Sequence, residues 1–234
     1  GAFLASYLMV RLEGRTLGEL GLSWDRRWGF DLVLGFLGGL GIMVASALLL
    51  GSLDGFHWVR PSSPSAASML RAGALYAAVA LGEELTFRGY GLQRVAEGLG
   101  KPTAQGLFAL LFALAHVQNP GIQAADPILR SVALINIGLA GLILGLAWQR
   151  TGSLASSIGL HWSWNWTQES LLGFRVSGSS GPVTSFLQPF LHDRPTWLTG
   201  GSVGLEGSVA CTAVALLTLV VLLRWKGRHT DRTP

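Results

Sequence analysis

The chain has 234 residues, half of them apolar, with a mean hydropathy of +0.44 and only 13% charged, against about 25% in an ordinary soluble domain. That composition marks an integral membrane protein. The formal charge of +4 sits on residues flanking apolar runs, no basic run of nucleic-acid-binding type occurs, and the single Cys211 excludes an intramolecular disulfide.

In chain order, the apolar runs predict about seven helices, at residues 1–10, 30–53, 66–96, 102–117, 130–149, 153–172 and 203–223. The run 30–53 is apolar except for Asp31 and exceeds the roughly 20 residues needed to cross a hydrocarbon core. The runs 130–149 and 203–223 are of similar length. The first run is too short to span and opens on Gly1 rather than Met, so the start of this helix, and an eighth helix before it, are expected upstream. Pro102 fits the first turn of the fourth helix, where its missing N–H is no loss, and Asn119-Pro120-Gly121 ends that helix. Gly35-x-x-x-Gly39 and Gly141-x-x-x-Gly145 predict close helix approaches. Asn136 reads as an amide that joins helices, and Glu206 as a carboxylate in the first turn of the last helix. The Gly/Ser/Pro-rich loop 174–201 is long enough to cover or gate a site. No polar linker divides the chain, so residues 1–234 read as one helical domain.

Lysines and arginines predict the orientation. Arg11, Arg15, Arg26, Arg27, Arg94, Lys101, Arg150, Arg224, Lys226, Arg228 and Arg232 follow the odd-numbered helices; Arg60, Arg71, Arg130, Arg175 and Arg194 lie on the other side. This asymmetry places the first set, with the C-terminus, in the cytoplasm. Trp24, Trp28, Trp58, Trp148, Trp197 and Trp225 lie near helix ends, as an aromatic belt would have them.

Three apolar segments each carry ionisable or amide groups, which are expensive at membrane depth and mark function. The first holds Glu83-Glu84-x-x-x-Arg88. Glu84 and Arg88 are four apart and can pair on one helix face, whereas Glu83 is turned about 100° away and is free to act as a base. The second ends in Phe112-x-x-x-His116; a lone histidine there also suits the negative end of a helix dipole. The third is His161-x-x-x-Asn165, two polar groups on one face, which in a membrane can equally serve interhelical hydrogen bonding. Trp162, Trp164 and Trp166 read as packing residues.

Glu-Glu-x-x-x-Arg, Phe-x-x-x-His and His-x-x-x-Asn, in that order on three helices, resemble the CAAX-protease and bacteriocin-processing (Abi) family of intramembrane endopeptidases. Phe87-Arg88-Gly89 matches a frequent ending of the first motif, and the likeness runs on through 11–22 upstream and 198–208 downstream. The resemblance implies an all-α, polytopic membrane bundle that hydrolyses peptide bonds, with Glu83, Glu84, Arg88, His116, His161 and Asn165 at its site.

Peptide hydrolysis needs an activated water and a stabilised oxyanion. Glu83 is the expected base, with His116 sharing the water and His161 and Asn165 donating to the oxyanion. Alternatively, Glu83, His116 and His161 hold a Zn²⁺ with an open position for water. Glu84 and Arg88 then fix Glu83 and the helix. There is no His-Glu-x-x-His helix of the usual zinc-protease kind. The expected partners are the lipid bilayer and a membrane-associated peptide or protein, and the expected location is a bacterial plasma membrane. A proton-coupled transporter or a non-catalytic scaffold would use the same buried polar groups, although no inverted repeat of the transporter kind is visible.

Overall fold

A computed structural model describes residues 1–59, 65–180 and 185–227. Arg60, Arg228 and Arg232 of the orientation argument lie outside the described residues. The chain is mainly helical. The first helix, α1 (Ala2–Leu12), is followed by a 3₁₀ turn (Leu17–Leu20) in which the Thr16 N–H donates to the Glu19 carboxylate at 3.0 Å. Asp25 caps α2 (Arg26–Ser52) by accepting from the Trp28 N–H at 2.8 Å, satisfying one of the donors that a helix start leaves open.

Residues 66–96 do not form one helix. Helix α3 (Ala66–Phe87) stops, and the amphipathic α4 (Tyr90–Leu99) follows. Gly89 makes the break possible: a Cβ there would sit 2.2 Å from the Leu85 carbonyl oxygen. Helix α5 (Lys101–Ala115) has Pro102 in its first turn, the short α6 (Pro120–Gln123) follows, and α7 (Pro127–Thr151) is capped by Asp126 and ended by left-handed Gly152. Helix α8 (Leu154–Trp166) is shorter than its apolar run, since Thr167–Leu171 winds as a wider π turn. Two strands not foreseen from the sequence, β1 (Phe56–Val59) and β2 (Gln188–Leu191), pair antiparallel with Phe56 opposite Leu191. A short α9 (Thr196–Thr199) and a 3₁₀ turn (Leu205–Gly207) precede α10 (Val209–Arg224). The last helix thus begins six residues later than its apolar run, because Gly204 takes φ +97° and Ser208 is extended. By length and composition, α2 and α7 can cross a membrane, with mean hydropathies of 2.3 and 2.0.

Glycine sets the tightest packing. Cβ atoms on Gly35 and Gly39 of α2 would lie 2.1 Å from the carbonyl oxygens of Ser156 and Leu160 on α8, and one on Gly159 would lie 2.1 Å from that of Leu32. The two backbones touch along this seam, as small residues in membrane helices permit. Gly141 and Gly145 do the same for α7 against α5, meeting Ala109 and the Gln105 side chain. Asn136 joins α7 to the final segment: its amide donates to the carbonyls of Glu206 and Ser208 at 2.7 and 3.0 Å and accepts from Thr212.

Polar contacts gather at the two ends of the bundle. At one end Glu13, Arg15, Arg94 and Glu97 form a network, and Arg150 donates to the carbonyls of Leu222 and Leu223. At the other, Arg194 pairs with Asp54, His57 contacts His192 at 2.8 Å, and Thr196 bonds Asp126. The Arg194 guanidinium, with His192 nearby, holds the Asp54 carboxyl below the ordinary carboxylate range.

Candidate active site

Helix α8 packs against α2, α3 and α7 and so brings the third motif against the first. Glu84 is wholly buried, and its Oε1 accepts from Arg88 Nη1 at 3.0 Å and contacts His161 Nδ1 at 2.8 Å. Arg88, the residue that closes α3, is 1% exposed; its Nη2 donates to the Gly141 carbonyl at 3.1 Å, and the guanidinium lies 4.4 Å from the centre of the Phe112 ring. The i,i+4 pair expected from spacing is therefore real and cross-braced. It ties α3 to α7 by a hydrogen bond, to α5 by a cation–π contact and to α8 through the imidazole.

Phe112 is the aromatic hub between the motifs. Its ring stands edge-on to Phe87 at 5.1 Å and to His161 at 5.9 Å, and lies 4.7 Å from His116. Its carbonyl also receives His116 Nδ1 at 2.7 Å. A carbonyl can only accept, so His116 Nδ1 carries the proton and the Nε2 of the neutral ring is a bare acceptor. His161 Nδ1 faces the Glu84 carboxylate, as in the carboxylate–histidine pairs that orient metal ligands and bases. Its Nε2 faces Glu83 Oε2 at 3.7 Å.

Glu83 differs from its neighbour. Its side chain is 32% exposed and reaches a cavity of about 190 Å³ that is also lined by His116, His161 and Asn165, room for several waters. Glu83 Oε2 has no hydrogen-bond partner. Of the six residues singled out from the sequence, four line the cavity, while Glu84 and Arg88 stand behind it. Among the described residues no cluster of three His, Cys, Asp or Glu side chains is arranged to hold a metal ion.

The sequence reading missed part of this cavity. Tyr76, Asn119, Ser177 and Glu206 also line it. Glu206 belongs to the 3₁₀ turn before α10, not to that helix, and it is 5% exposed. The rule that flags acids at membrane depth applied to it as much as to Glu83. Trp164, read as packing, donates to Glu206 at 2.9 Å. The loop 174–201 does cover the site in part, through Val176, Ser177 and Ser179; residues 181–184 lie outside the described residues.

Residues 64–167 match the family model described as Type II CAAX prenyl endopeptidase Rce1-like. All six expected site residues fall inside that segment, and Glu206 falls outside it. No curated protein and no solved structure matches the chain. The ordered motifs, the helices that carry them and the matched family model together show an Rce1-like CAAX endopeptidase segment over residues 64–167 and support a protease.

Proposed function

We propose that this protease cleaves a membrane-associated peptide at the cavity between α3, α5 and α8, with Glu83 as general base. One observation carries the reading. Both imidazoles are held through Nδ1, which leaves their Nε2 atoms uncommitted beside a cavity that also holds Glu83, whose Oε2 has no hydrogen-bond partner. Glu83 takes a proton from a water that His116 orients, the water oxygen attacks the scissile carbonyl carbon, and Glu83 returns the proton to the departing amine nitrogen. Asn165 donates to the oxyanion through its amide. His161 can donate there only while its Nε2 carries a proton, so Asn165 is the more constant donor. Glu84 and Arg88 hold His161 in place.

A second reading assigns Glu83, His116 and His161 to a Zn²⁺ ion, although the three are not gathered as a three-ligand cluster in this structure. The donor set suits that ion, which when bound would make the water more acidic. In that reading Glu84 and the Phe112 carbonyl orient the two imidazoles, and Asn165 keeps its oxyanion role.

Purified protein is assayed with farnesylated CAAX-type and leader-type peptides, alongside Glu83→Gln, with zinc content measured before and after a strong chelator. Glu83→Gln should lower kcat by about 10²–10⁴-fold with folding intact; a wild-type rate in that variant refutes the base assignment. Loss and return of activity in step with zinc supports the metal reading, and full activity in metal-free protein refutes it.

The segments outside 64–167 are read as parts of the same domain, since α2 is seamed to α8 and Glu206 reaches the cavity. The asymmetry of Lys and Arg supports a multi-pass location in a bacterial plasma membrane with the C-terminus cytoplasmic. In a Cys211→Ala background, an impermeant thiol reagent outside intact cells should label a cysteine at Ser52 and not one at Lys226. The opposite pattern reverses the topology.

A further inference from the structure

Glu206 is a buried carboxylate that the cleavage steps above do not use, and its side chain accepts four hydrogen bonds from the described residues. Oε1 accepts from Trp164 Nε1 at 2.9 Å; Oε2 accepts from Gln168 Nε2 at 3.2 Å, from Ser177 Oγ at 2.9 Å and from the Ser177 backbone N–H. Its own carbonyl accepts from Asn136. One side chain thereby joins α8, the π turn after it and the loop wall of the cavity, while its backbone is held by α7.

The wall it holds does not adopt its shape unaided. Ser177 has φ +47°, a left-handed conformation that is costly for a residue with a Cβ and persists where surrounding contacts impose it. Here the imposing contacts come from two sides. Glu206 takes the Ser177 N–H and hydroxyl, and Asn119, three residues after His116, donates to the Ser177 carbonyl at 2.8 Å. The neighbouring Gly178 carbonyl accepts from the Gly121 N–H at 2.8 Å, and the Gly178 N–H donates to Val203 at 2.9 Å. Through Glu206, Ser177 thus links the segment after His116 to Trp164 of α8.

We propose that Glu206 is a positioning residue of the cleavage site: by holding Trp164 and Ser177 it fixes the Val176–Ser179 segment as a wall of the substrate cavity that Glu83 also lines. It acts on how tightly peptide is bound, not on the proton transfers. This rests on the endopeptidase reading, so the test carries one readout that needs no turnover.

Hydrogen exchange at the Ser177 and Gly178 amides, and KM and kcat across pH, are measured for wild type and Glu206→Gln on the peptide that wild type cleaves. Replacing a charged acceptor of this kind should speed exchange at Ser177 by about tenfold or more. KM should rise by about the same factor while the pH profile of kcat keeps its shape. Unchanged exchange at Ser177 overturns the tether; a shifted pH profile, or a loss confined to kcat, overturns the positioning role. If Glu206→Gln does not accumulate, Trp164→Phe and Ser177→Ala each remove one donor to Glu206 and should each raise KM, and an unchanged KM in both overturns the proposal. If wild type cleaves no peptide, the endopeptidase reading fails while the exchange data still decide the tether.

Discussion

Along α8, the side turned to α2 and the side turned to the cavity follow opposite rules. The α2 side has so little between the backbones that Gly159 has no room for a methyl group, and its neighbours Ser156 and Leu160 present carbonyl oxygens to Gly35 and Gly39. The cavity side carries His161, Trp164 and Asn165, large side chains with polar groups spaced around a volume with room for several waters. Without a strong apolar driving force between helices in lipid, close packing and hydrogen bonds have to hold the bundle. The seam supplies the first and the Glu84–Arg88–His161 cluster the second. The close-packed seam on one side leaves the other side of α8 to carry polar groups into the cavity.

Substitutions on the two sides should therefore fail differently. Glu84→Gln has the largest expected effect. It leaves Arg88 buried without its carboxylate and His161 without its anionic acceptor, and should cost about 3–5 kcal/mol of stability together with activity. Thermal unfolding in detergent measures it, and wild-type stability would show that the buried pair does not hold the bundle. The adjacent Glu83→Gln, already proposed as the loss of the base, provides the contrast, because it should leave that unfolding temperature unchanged. Gly159→Ala comes next. Its Cβ meets the Leu32 carbonyl oxygen at 2.1 Å, so α2 and α8 must separate, at about 3 kcal/mol. Gly41→Ala on the same α2, with nothing within 4 Å, should instead gain up to about 1 kcal/mol from helix propensity. Equal effects at positions 159 and 41 would refute the seam.

The spacing Glu84–Arg88 was enough to read their pairing, because i,i+4 geometry is local to a helix. Spacing also placed His161 and Asn165 on one face and the Gly35 and Gly39 pair at a close approach. Three things could not be read this way. The break at Gly89 brings that residue's backbone against the Leu85 carbonyl, a close approach that the apolar run does not reveal. Helix α10 begins late because residues 203–208 are spent on a turn that carries Glu206 to α8. The strands β1 and β2 pair residues up to 135 apart in sequence, as at Phe56 and Leu191, and neither run alternates clearly enough to stand out.

By itself the sequence determined the chemistry on offer and the helices that carry it, since apolar runs, helix period and charge asymmetry are local properties of the chain. It also separated Glu83 from Glu84, through the 100° turn between adjacent helix positions. Tertiary structure decided which nitrogen of each imidazole is committed, because that depends on the Phe112 carbonyl and on Glu84 reaching across from another helix. It likewise decided that Glu206 faces the cavity and not solvent or lipid. Such assignments arise where donors from separate segments converge on one acceptor, and no spacing along a single segment encodes that convergence.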